Sequence, residues 1–396
     1  MNDFFFTFAK EIDYENKKIS IEQLQKNTED LRNRIDSIVQ KYKSSNPIIN
    51  QLNTYFNDLK NNESFFFLVN SSITNEQSFQ LYNYLSTLEN NEDFKKASKE
   101  MDELFGDLRN NYDIIAFNEG TRNKIGEPDK SKRVCRFCNR KYGEVTFRKV
   151  AHSISEALGN KKIITNDECD SCNEKFGTGI ENDLILYLNL YRNVFGIKGK
   201  NGIPKLKGKN FEILNSGKSK IEIKYFLNEE EKNDPSFNDF KVRLETNQNI
   251  VIQNIYKTLA KYALSVLDNK YLCDFEKTIQ WINHEFDSEN LPKVAILTSY
   301  ELFTHHPQLV VYRRKKTDNN LPYAVAEFRF IFLTFVFIIP FSSVDKLEYS
   351  NEDNFNEFWT FFKHYNSVEG WKFNKMNDTK PRKFTMNLNF ELRNKE

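Results

Sequence analysis

Four cysteines constrain this chain more than any other feature of its sequence. They form two Cys-x-x-Cys pairs, Cys135/Cys138 and Cys169/Cys172. A Cys-x-x-Cys turn holds two thiolates at the separation that a tetrahedral zinc ion requires, and two such turns can close the site. The 30 residues between the pairs exceed the roughly 15–20 of a usual zinc ribbon. The spacing therefore predicts a structural Zn²⁺ site with an additional segment inserted between its two halves.

Composition limits the class of protein. A chain of 396 residues is long enough for two or three domains. Its net charge of +1 excludes a basic coat over the whole surface, so any nucleic-acid contact must be local. Paired cysteines fit metal binding in a reducing compartment better than a disulfide framework. The fifth cysteine, Cys273, is expected to be a buried free thiol.

No membrane or secretory segment is expected. The first ten residues lack a basic stretch, and Glu11 and Asp13 follow too soon for an apolar signal core. The most apolar run, residues 330–341, has 12 residues, whereas a membrane helix needs roughly 20. That run is expected to be a buried strand. These features predict a cytoplasmic protein.

Residues 1–120 are predicted to be a helical arm. Apolar residues recur at helical spacing from an N-cap at Ser20 to Tyr42. Further helices are predicted from Pro47, at 77–88 and at 92–108. This arm could be a dimerising coiled coil or a docking site for a regulatory partner protein. An ordinary helical hairpin packed within its own domain is favoured over both.

Positive charge is concentrated around the cysteines. Residues 121–162 contain twelve Lys or Arg against four acids, an excess of +8 in a chain of +1. This excess favours a phosphate-binding rim over a solvated charged face. Within it, residues 121–133 are polar and predict a linker. Residues 197–209 form a second basic stretch, for which nucleic-acid contact and a solvated linker are equally favoured.

Residues 196–396 predict an α+β domain. Helices are expected to begin near residues 181, 252 and 272. Strands are expected at 221–226, 240–245, 294–297, 309–312, 323–341 and 384–392. The fold class is therefore α+β and multidomain. No Gly-rich phosphate loop or Ser-His-Asp signature is present, which argues against nucleotide hydrolysis.

His152 is the candidate for chemistry between the two cysteine pairs. It ends a predicted strand at 145–152, and a neutral imidazole there could take a proton from water. An isolated histidine is usually structural, but the basic surroundings favour a catalytic role here. Asn166 precedes the second cysteine pair, where its amide could hold the imidazole. Asn173 is expected to open the following helix, with an amide oxygen free for a metal.

The order C-x-x-C, A-H-x-I, L-G-N and E-C-D-x-C-N-x-x-F-G over residues 133–195 resembles the HNH (ββα-metal) endonucleases with a four-cysteine zinc. The resemblance implies an HNH domain at 121–195 that hydrolyses DNA. His152 would be the general base and Asn166, rather than Asn160, would orient it. Asn173 would be a ligand of a catalytic Mg²⁺ or Mn²⁺. The C-terminal domain would regulate the nuclease or select its substrate.

One position departs from the family pattern. Many members carry Asp, Glu or His immediately before the base, as a second metal ligand, whereas this chain has Ala151. Asp170 and Glu181 are weak candidates to replace it. The alternative is a zinc-dependent module that binds nucleic acid or a partner and has a degenerate site. Because many stand-alone HNH nucleases act against foreign DNA, the resemblance also suggests bacterial anti-phage defence.

Overall fold

The computed structural model describes residues 2–16, 18–68, 75–90, 93–117, 122–217, 220–233, 241–315 and 320–389. The chain divides into two compact units, Met1–Arg109 and Asn110–Glu396. The predicted mixture of helix and sheet is observed, while the three-part division at residues 120 and 195 stays a prediction. Among the described residues, no helix combines the length and the apolar character needed to cross a bilayer.

The first unit contains helices and short strands. Its helices are α1 (Asn2–Phe8), α2 (Glu29–Tyr42), α3 (Asn50–Asp58), α4 (Asn75–Asn90) and α5 (Phe94–Asn111), which reaches the boundary between units. Its strands are β1 (Glu11–Asp13), β2 (Lys18–Ser20), β3 (Leu24–Lys26) and β4 (Ser64–Phe66). The helices predicted from Pro47, at 77–88 and at 92–108 are therefore confirmed.

The helix predicted from Ser20 was placed too early. It begins at Glu29, and the Thr28 hydroxyl accepts a hydrogen bond from the Leu31 N–H as the N-cap. Strand pairing of Leu24 with Phe66 takes the preceding residues out of the helix. The apolar face of α2 is buried against α1, α3 and β4. Its core residues are Phe8, Leu31, Ile35, Ile38, Val39, Phe56 and Phe65.

The second unit holds the cysteine cluster. Up to residue 233 its elements are β5 (Tyr112–Phe117), β6 (Asn123–Ile125), β7 (Ala151–His152), β8 (Ile163–Thr165), α6 (Asp170–Thr178), α7 (Ile180–Tyr187), α8 (Asn189–Val194), β9 (Leu206–Lys207), β10 (Phe211–Asn215), β11 (Ile221–Tyr225) and α9 (Glu229–Asn233). The prediction of a linker at residues 121–133 was partly wrong, because residues 123–125 form β6, which pairs in parallel with β8.

The remaining elements of this unit confirm the predicted C-terminal mixture. They are β12 (Lys241–Ile250), α10 (Ile252–Val266), α11 (Glu276–Ile282), β13 (Val294–Thr298), β14 (Thr304–Arg314), β15 (Ala324–Ile331), β16 (Leu333–Ile338), α12 (Glu352–Phe361), α13 (Lys363–Asn366), β17 (Lys372–Asn374) and β18 (Arg382–Asn389). The apolar run at 330–341 supplies the end of β15 and all of β16. Cys273 is exposed, so its predicted burial was wrong.

A six-stranded antiparallel sheet organises the second unit. Its strand order is β17-β13-β16-β15-β14-β5. Helices cover both faces, so successive residues of β15 meet different helices. Phe328 contacts the ring of Tyr262 on α10, while Glu327 accepts a hydrogen bond from Tyr365 on α13. This explains why β15 is apolar almost throughout and does not alternate with polar residues.

Helix α10 joins the sheet to the cysteine-rich segment. Nearly all of its residues are buried, which is unusual for a helix of 15 residues. The Tyr256 hydroxyl donates to the Ile338 carbonyl in the sheet. Another side of the helix contacts α7 and the zinc-binding region, as described below. A single hydrophobic core therefore runs from Cys135 to Met376.

Candidate functional site

The four predicted zinc ligands lie together. The Sγ atoms of Cys135, Cys138, Cys169 and Cys172 all lie within 4.8 Å of one another. The Cys138 and Cys169 sulfurs are 3.8 Å apart. Zn–S bonds of about 2.3 Å in a tetrahedron place sulfurs about 3.8 Å apart, so the cluster has the dimensions of a zinc site. The hydrogen bond with Cys135 and burial raise the pKa of the Cys172 thiol, so a bound cation is needed to hold four thiolates.

Local structure explains how each pair is presented. In the first turn the Asn139 N–H donates to the Cys135 carbonyl, and Asn139 takes a left-handed φ of 56° that asparagine tolerates. In the second, Cys169 is the N-cap of α6 and Cys172 lies in its first turn. The Cys169 N–H also donates to Cys135 Sγ over 3.4 Å. Both pairs are therefore preformed by backbone geometry.

The inserted segment forms a small β-hairpin. Its strands β7 and β8 pair His152 with Ile164 and Ala151 with Thr165. Asn160 organises the connection between them, because its buried amide donates to the Ile154 and Ile163 carbonyls and accepts from the Lys162 and Ile163 N–H groups. The side chain of Asn160 thus donates two hydrogen bonds and accepts two within this connection, so it is unsuited to orienting His152.

The strand predicted at 145–152 is mostly an irregular loop. The carboxylate of Asp170 explains this, since it accepts the backbone N–H groups of Arg148 and Lys149 and the Thr146 hydroxyl. Partial burial opposes ionisation, but these hydrogen bonds lower the pKa of Asp170. Asp170 therefore fixes the approach to β7 at the start of α6, and its oxygens are not free to bind a metal.

His152 occupies a protected position at the end of this loop. Its side chain is 19% exposed, and its Nδ1 is buried without a hydrogen-bond partner among the described residues. Burial lowers the pKa of His152, the Glu156 carboxylate raises it in part, and Lys261 lowers it. Glu156 Oε2 lies 3.9 Å from His152 Nε2. Because its pKa is lowered, the imidazole is neutral at neutral pH.

The two predicted asparagines lie on either side of the second cysteine pair. Asn166 directly follows β8, and its N–H donates to the Ile125 carbonyl. It lies two residues after Ile164, the residue that pairs with His152 across the hairpin. Asn173 lies in α6 rather than at its start, because the helix begins at Asp170. Both asparagines are partly exposed.

A buried charge cluster behind the hairpin was missed by the sequence analysis. Lys261 Nζ lies 3.0 Å from Glu168 Oε2 and 2.9 Å from Glu181 Oε1. Lys261 and Glu168 are fully buried. Burial raises the pKa of Glu168. Burial also opposes the charge on Lys261, but the carboxylates of Glu168 and Glu181 outweigh it and raise the pKa of Lys261. Lysine at the buried face of an otherwise apolar helix was the available signal, since lysine is rarely buried without a partner.

Arg136 provides a second link to the same helix. It lies inside the first cysteine pair, is buried, and forms a 2.7 Å ion pair with Asp167. Its Nη1 donates to the Leu264 and Leu267 carbonyls at the C-terminal end of α10. The zinc-binding turn is therefore connected to α10 by charged hydrogen bonds that satisfy the helix terminus.

Comparison with known proteins tests the resemblance. Residues 135–188 match the family described as HNH endonuclease. These residues are an HNH domain. The match begins at Cys135 and ends at Leu188, immediately after α7, so it includes the zinc ligands, His152, Asn166 and Asn173. No curated protein and no solved structure matched the chain.

The HNH domain offers few ligands for a catalytic ion. Ala151, at the position of a second ligand, is buried and has no donor atom. Glu181 is held by Lys261 and Asp170 by the loop before β7. Of the candidates weighed from the sequence, this leaves the Asn173 amide. An HNH site with a single protein oxygen fits an ion that is also held by the phosphate of its substrate.

Proposed function

We propose that this protein is a metal-dependent endonuclease that hydrolyses phosphodiester bonds in DNA. The observation that carries the proposal is the state of His152. Within a family-matched HNH domain, its imidazole is largely buried, has a lowered pKa and keeps Nδ1 without a partner among the described residues. These properties suit a general base that is neutral at the pH of its reaction.

The reaction would begin with proton transfer from water to His152. The resulting hydroxide attacks phosphorus, and the bond to the 3′ oxygen breaks. Glu156, 3.9 Å from Nε2, stabilises the imidazolium as it forms. Asn166 acts as the positioning residue that holds the ring.

Asn173 would hold the divalent ion together with phosphate oxygens. Mg²⁺ or Mn²⁺ bound there would supply charge that stabilises the phosphorane and the leaving oxygen. Because only one protein ligand is identified, we expect weak metal binding in the absence of DNA. The zinc in the cysteine cluster has a separate, structural role, since four thiolates leave no open coordination position.

The basic segment would bind the DNA backbone. Of its twelve Lys and Arg side chains, ten are exposed, while Arg133 is partly buried and Arg136 is buried. Some exposed charges are paired, as Lys149 is with Glu174. The remaining excess surrounds the approach to His152 and would attract phosphates with a marked salt dependence.

The N-terminal unit and the C-terminal elements would control the nuclease. We propose that α1–α5 bind a regulatory partner or a second copy, and that the activity serves anti-phage defence. The competing function is a zinc-dependent module that binds nucleic acid or a partner protein without cleaving it. Ala151 favours that alternative, while the intact environment of His152 favours catalysis.

A plasmid nicking assay tests the proposal. Purified protein with Mg²⁺ or Mn²⁺ should nick supercoiled DNA, and His152→Ala should reduce the rate by about 10²- to 10⁴-fold because the general base is lost. Zinc content and circular dichroism should be unchanged. His306→Ala, which removes an exposed histidine, is the matched control. A wild-type protein that cleaves neither DNA nor RNA with either metal would support the binding module instead.

A further inference from the structure

An exposed group of aromatic rings lies at the C-terminal end of the HNH domain. Phe195, which follows α8, contacts Phe303 and Phe332 with ring centroids 5.6 and 5.3 Å apart. Tyr300 contacts Phe332 at 4.9 Å. Phe332 is buried and forms the floor, whereas the other three rings are 37%, 39% and 76% exposed for Phe195, Phe303 and Tyr300. We call these three rings the aromatic platform.

Exposure of this group is not explained by packing within the chain. Single exposed apolar side chains are common, but adjoining exposed rings usually mark a binding surface. Phe195 and Phe303 come from segments more than one hundred residues apart and meet at the surface. The platform therefore depends on the folded unit and is not a local feature of one loop.

The platform is connected to the catalytic hairpin through a glycine-containing loop. Phe195 leads directly into this loop, residues 196–202, where Gly199 and Gly202 pair in a tight turn. A Cβ on Gly199 would lie 3.1 Å from Ala157 Cα, so glycine allows the close approach. Ala157 adjoins Glu156, whose carboxylate lies 3.9 Å from the imidazole of His152. The loop thus connects Phe195 of the platform to the part of the hairpin that contains Glu156, and its exposed residues form the surface between them.

Charge along this surface is mainly positive. Lys198 and Lys200 are exposed in the loop between the hairpin and the platform. Farther along, Lys205 and Lys207 form ion pairs with Glu212, so their charge is largely compensated. Glu301 is an exposed carboxylate beside Tyr300. Among the described residues Lys198 and Lys200 have no ion-pair partner, and they lie in the loop that follows Phe195. Positive charge combined with exposed aromatic rings is how proteins bind a nucleic-acid strand with stacked bases.

We propose that the aromatic platform stacks on unpaired bases of the DNA strand whose backbone passes Lys198 and Lys200 to reach His152. This inference rests on the proposed nuclease function and names its substrate more closely, as DNA with a single-stranded segment beside the cleavage site. Stacking does not depend on base identity, because every base has a flat π-face. The platform would therefore select strand state and not sequence.

Binding measurements in the inactive His152→Ala background test the proposal without cleavage. Fluorescence anisotropy would compare a labelled single-stranded oligothymidine with the matching duplex. Phe303→Ala should weaken single-strand binding by about 5- to 150-fold, the range for loss of one stacked base, and should change duplex binding much less. Tyr300→Ala should act in the same direction, and Phe303→Tyr should retain binding.

Phe373→Ala is the matched control. Phe373 lies in β17, is 42% exposed, and also contacts two rings, those of Phe355 and Trp359. The proposal is overturned if both platform variants bind single strands as the control does. It is also overturned if they change only the oligomeric state in light scattering, since the platform would then be an interface between copies. Single-strand binding that is lost in Phe303→Ala would uphold it even if the wild-type chain never cleaves DNA.

Discussion

At the residue scale, the proposed chemistry depends on how His152 is kept neutral. Burial lowers the pKa of His152, while Glu156 acts in the opposite direction. This opposition is useful for a base, because the ring must be neutral before the reaction and charged after it. The Glu156 carboxylate lies 3.9 Å from Nε2 and stabilises the charged ring. At that distance it forms no hydrogen bond that would occupy Nε2.

Replacing Glu156 tests this balance. Cleavage requires neutral His152, so the rate should rise with pH through the pKa of that imidazole. Because Glu156 raises this pKa, Glu156→Gln should move the acidic limb of the profile to lower pH. The rate on the plateau should also fall, since the imidazolium loses its partner. Single-turnover nicking as a function of pH measures both effects. An unchanged limb would exclude coupling between the two side chains.

The asparagines provide a second pair of contrasting changes. Asn160→Ala should destabilise the protein by about 2–4 kcal/mol, because four backbone groups lose a hydrogen bond to its buried side chain. Asn166→Ala should lower nicking with little change in stability, since its side chain is partly exposed. Urea unfolding and nicking would be measured on both variants. A stable but inactive Asn160→Ala would reverse the two assignments.

At the element scale, local signals were sufficient for some parts of the site and insufficient for others. The spacing of the cysteines and the resemblance around His152 were enough to predict the zinc cluster and the HNH domain. The limits of β7 were not predictable, because Asp170 pulls residues 146–149 out of the strand from 21 or more residues away. The start of α2 was missed for a similar reason, since β3 pairs with the distant β4.

Helix α10 has side-chain contacts that no local sequence pattern could predict. Its apolar spacing predicted a helix, and the helix is present, but its two buried lysines have partners in other elements. Lys261 binds Glu168 and Glu181, and Lys257 binds Asp287. A sequence shows that such residues are charged but does not show which carboxylates they meet. The contribution of α10 to the HNH site therefore emerged only from the fold.

Removing the Lys261 charge should strongly lower the stability of the second unit. Lys261→Met leaves Glu168 and Glu181 buried without a cation, and should destabilise the second unit by about 3–5 kcal/mol. Lys209→Met is the matched control, because Lys209 forms an exposed 3.0 Å pair with Glu245, and water screens such a pair so well that its loss should change stability little. Urea unfolding at neutral pH compares them. Equal losses would show that burial of the cluster does not matter.

At the scale of the whole molecule, the HNH domain lies in the sequence between two paired strands of one sheet in the second unit. β5 comes before the domain in the chain, and its partner β14 comes well after it. Both flanks of the HNH domain are consequently tied to one sheet. Helix α10, which lies between, adds the contacts of Arg136 and Lys261. The HNH domain therefore shares its core with the residues that follow it.

Two truncations that differ by only eleven residues test this organisation. Deleting residues 1–109 removes the first compact unit and should leave zinc content and cooperative unfolding of the remainder intact. Deleting residues 1–120 also removes β5, exposing the edge of β14 and the cavity of buried Tyr112. The second protein should be several kcal/mol less stable and prone to aggregation. Equal thermal stability of the two would exclude a structural role for β5.

The separation of β5 from β14 also has a consequence during synthesis. About 190 residues lie between these pairing strands, and at about 5–20 residues per second the ribosome needs on the order of 10–40 s to make them. The cysteines emerge early and can acquire zinc, but Lys261 emerges later and only then neutralises Glu168 and Glu181. A nascent chain that stops before α10 would contain His152, Asn166 and Asn173 without the helix that neutralises Glu168 and Glu181, so the proposed cutting activity would require synthesis past α10.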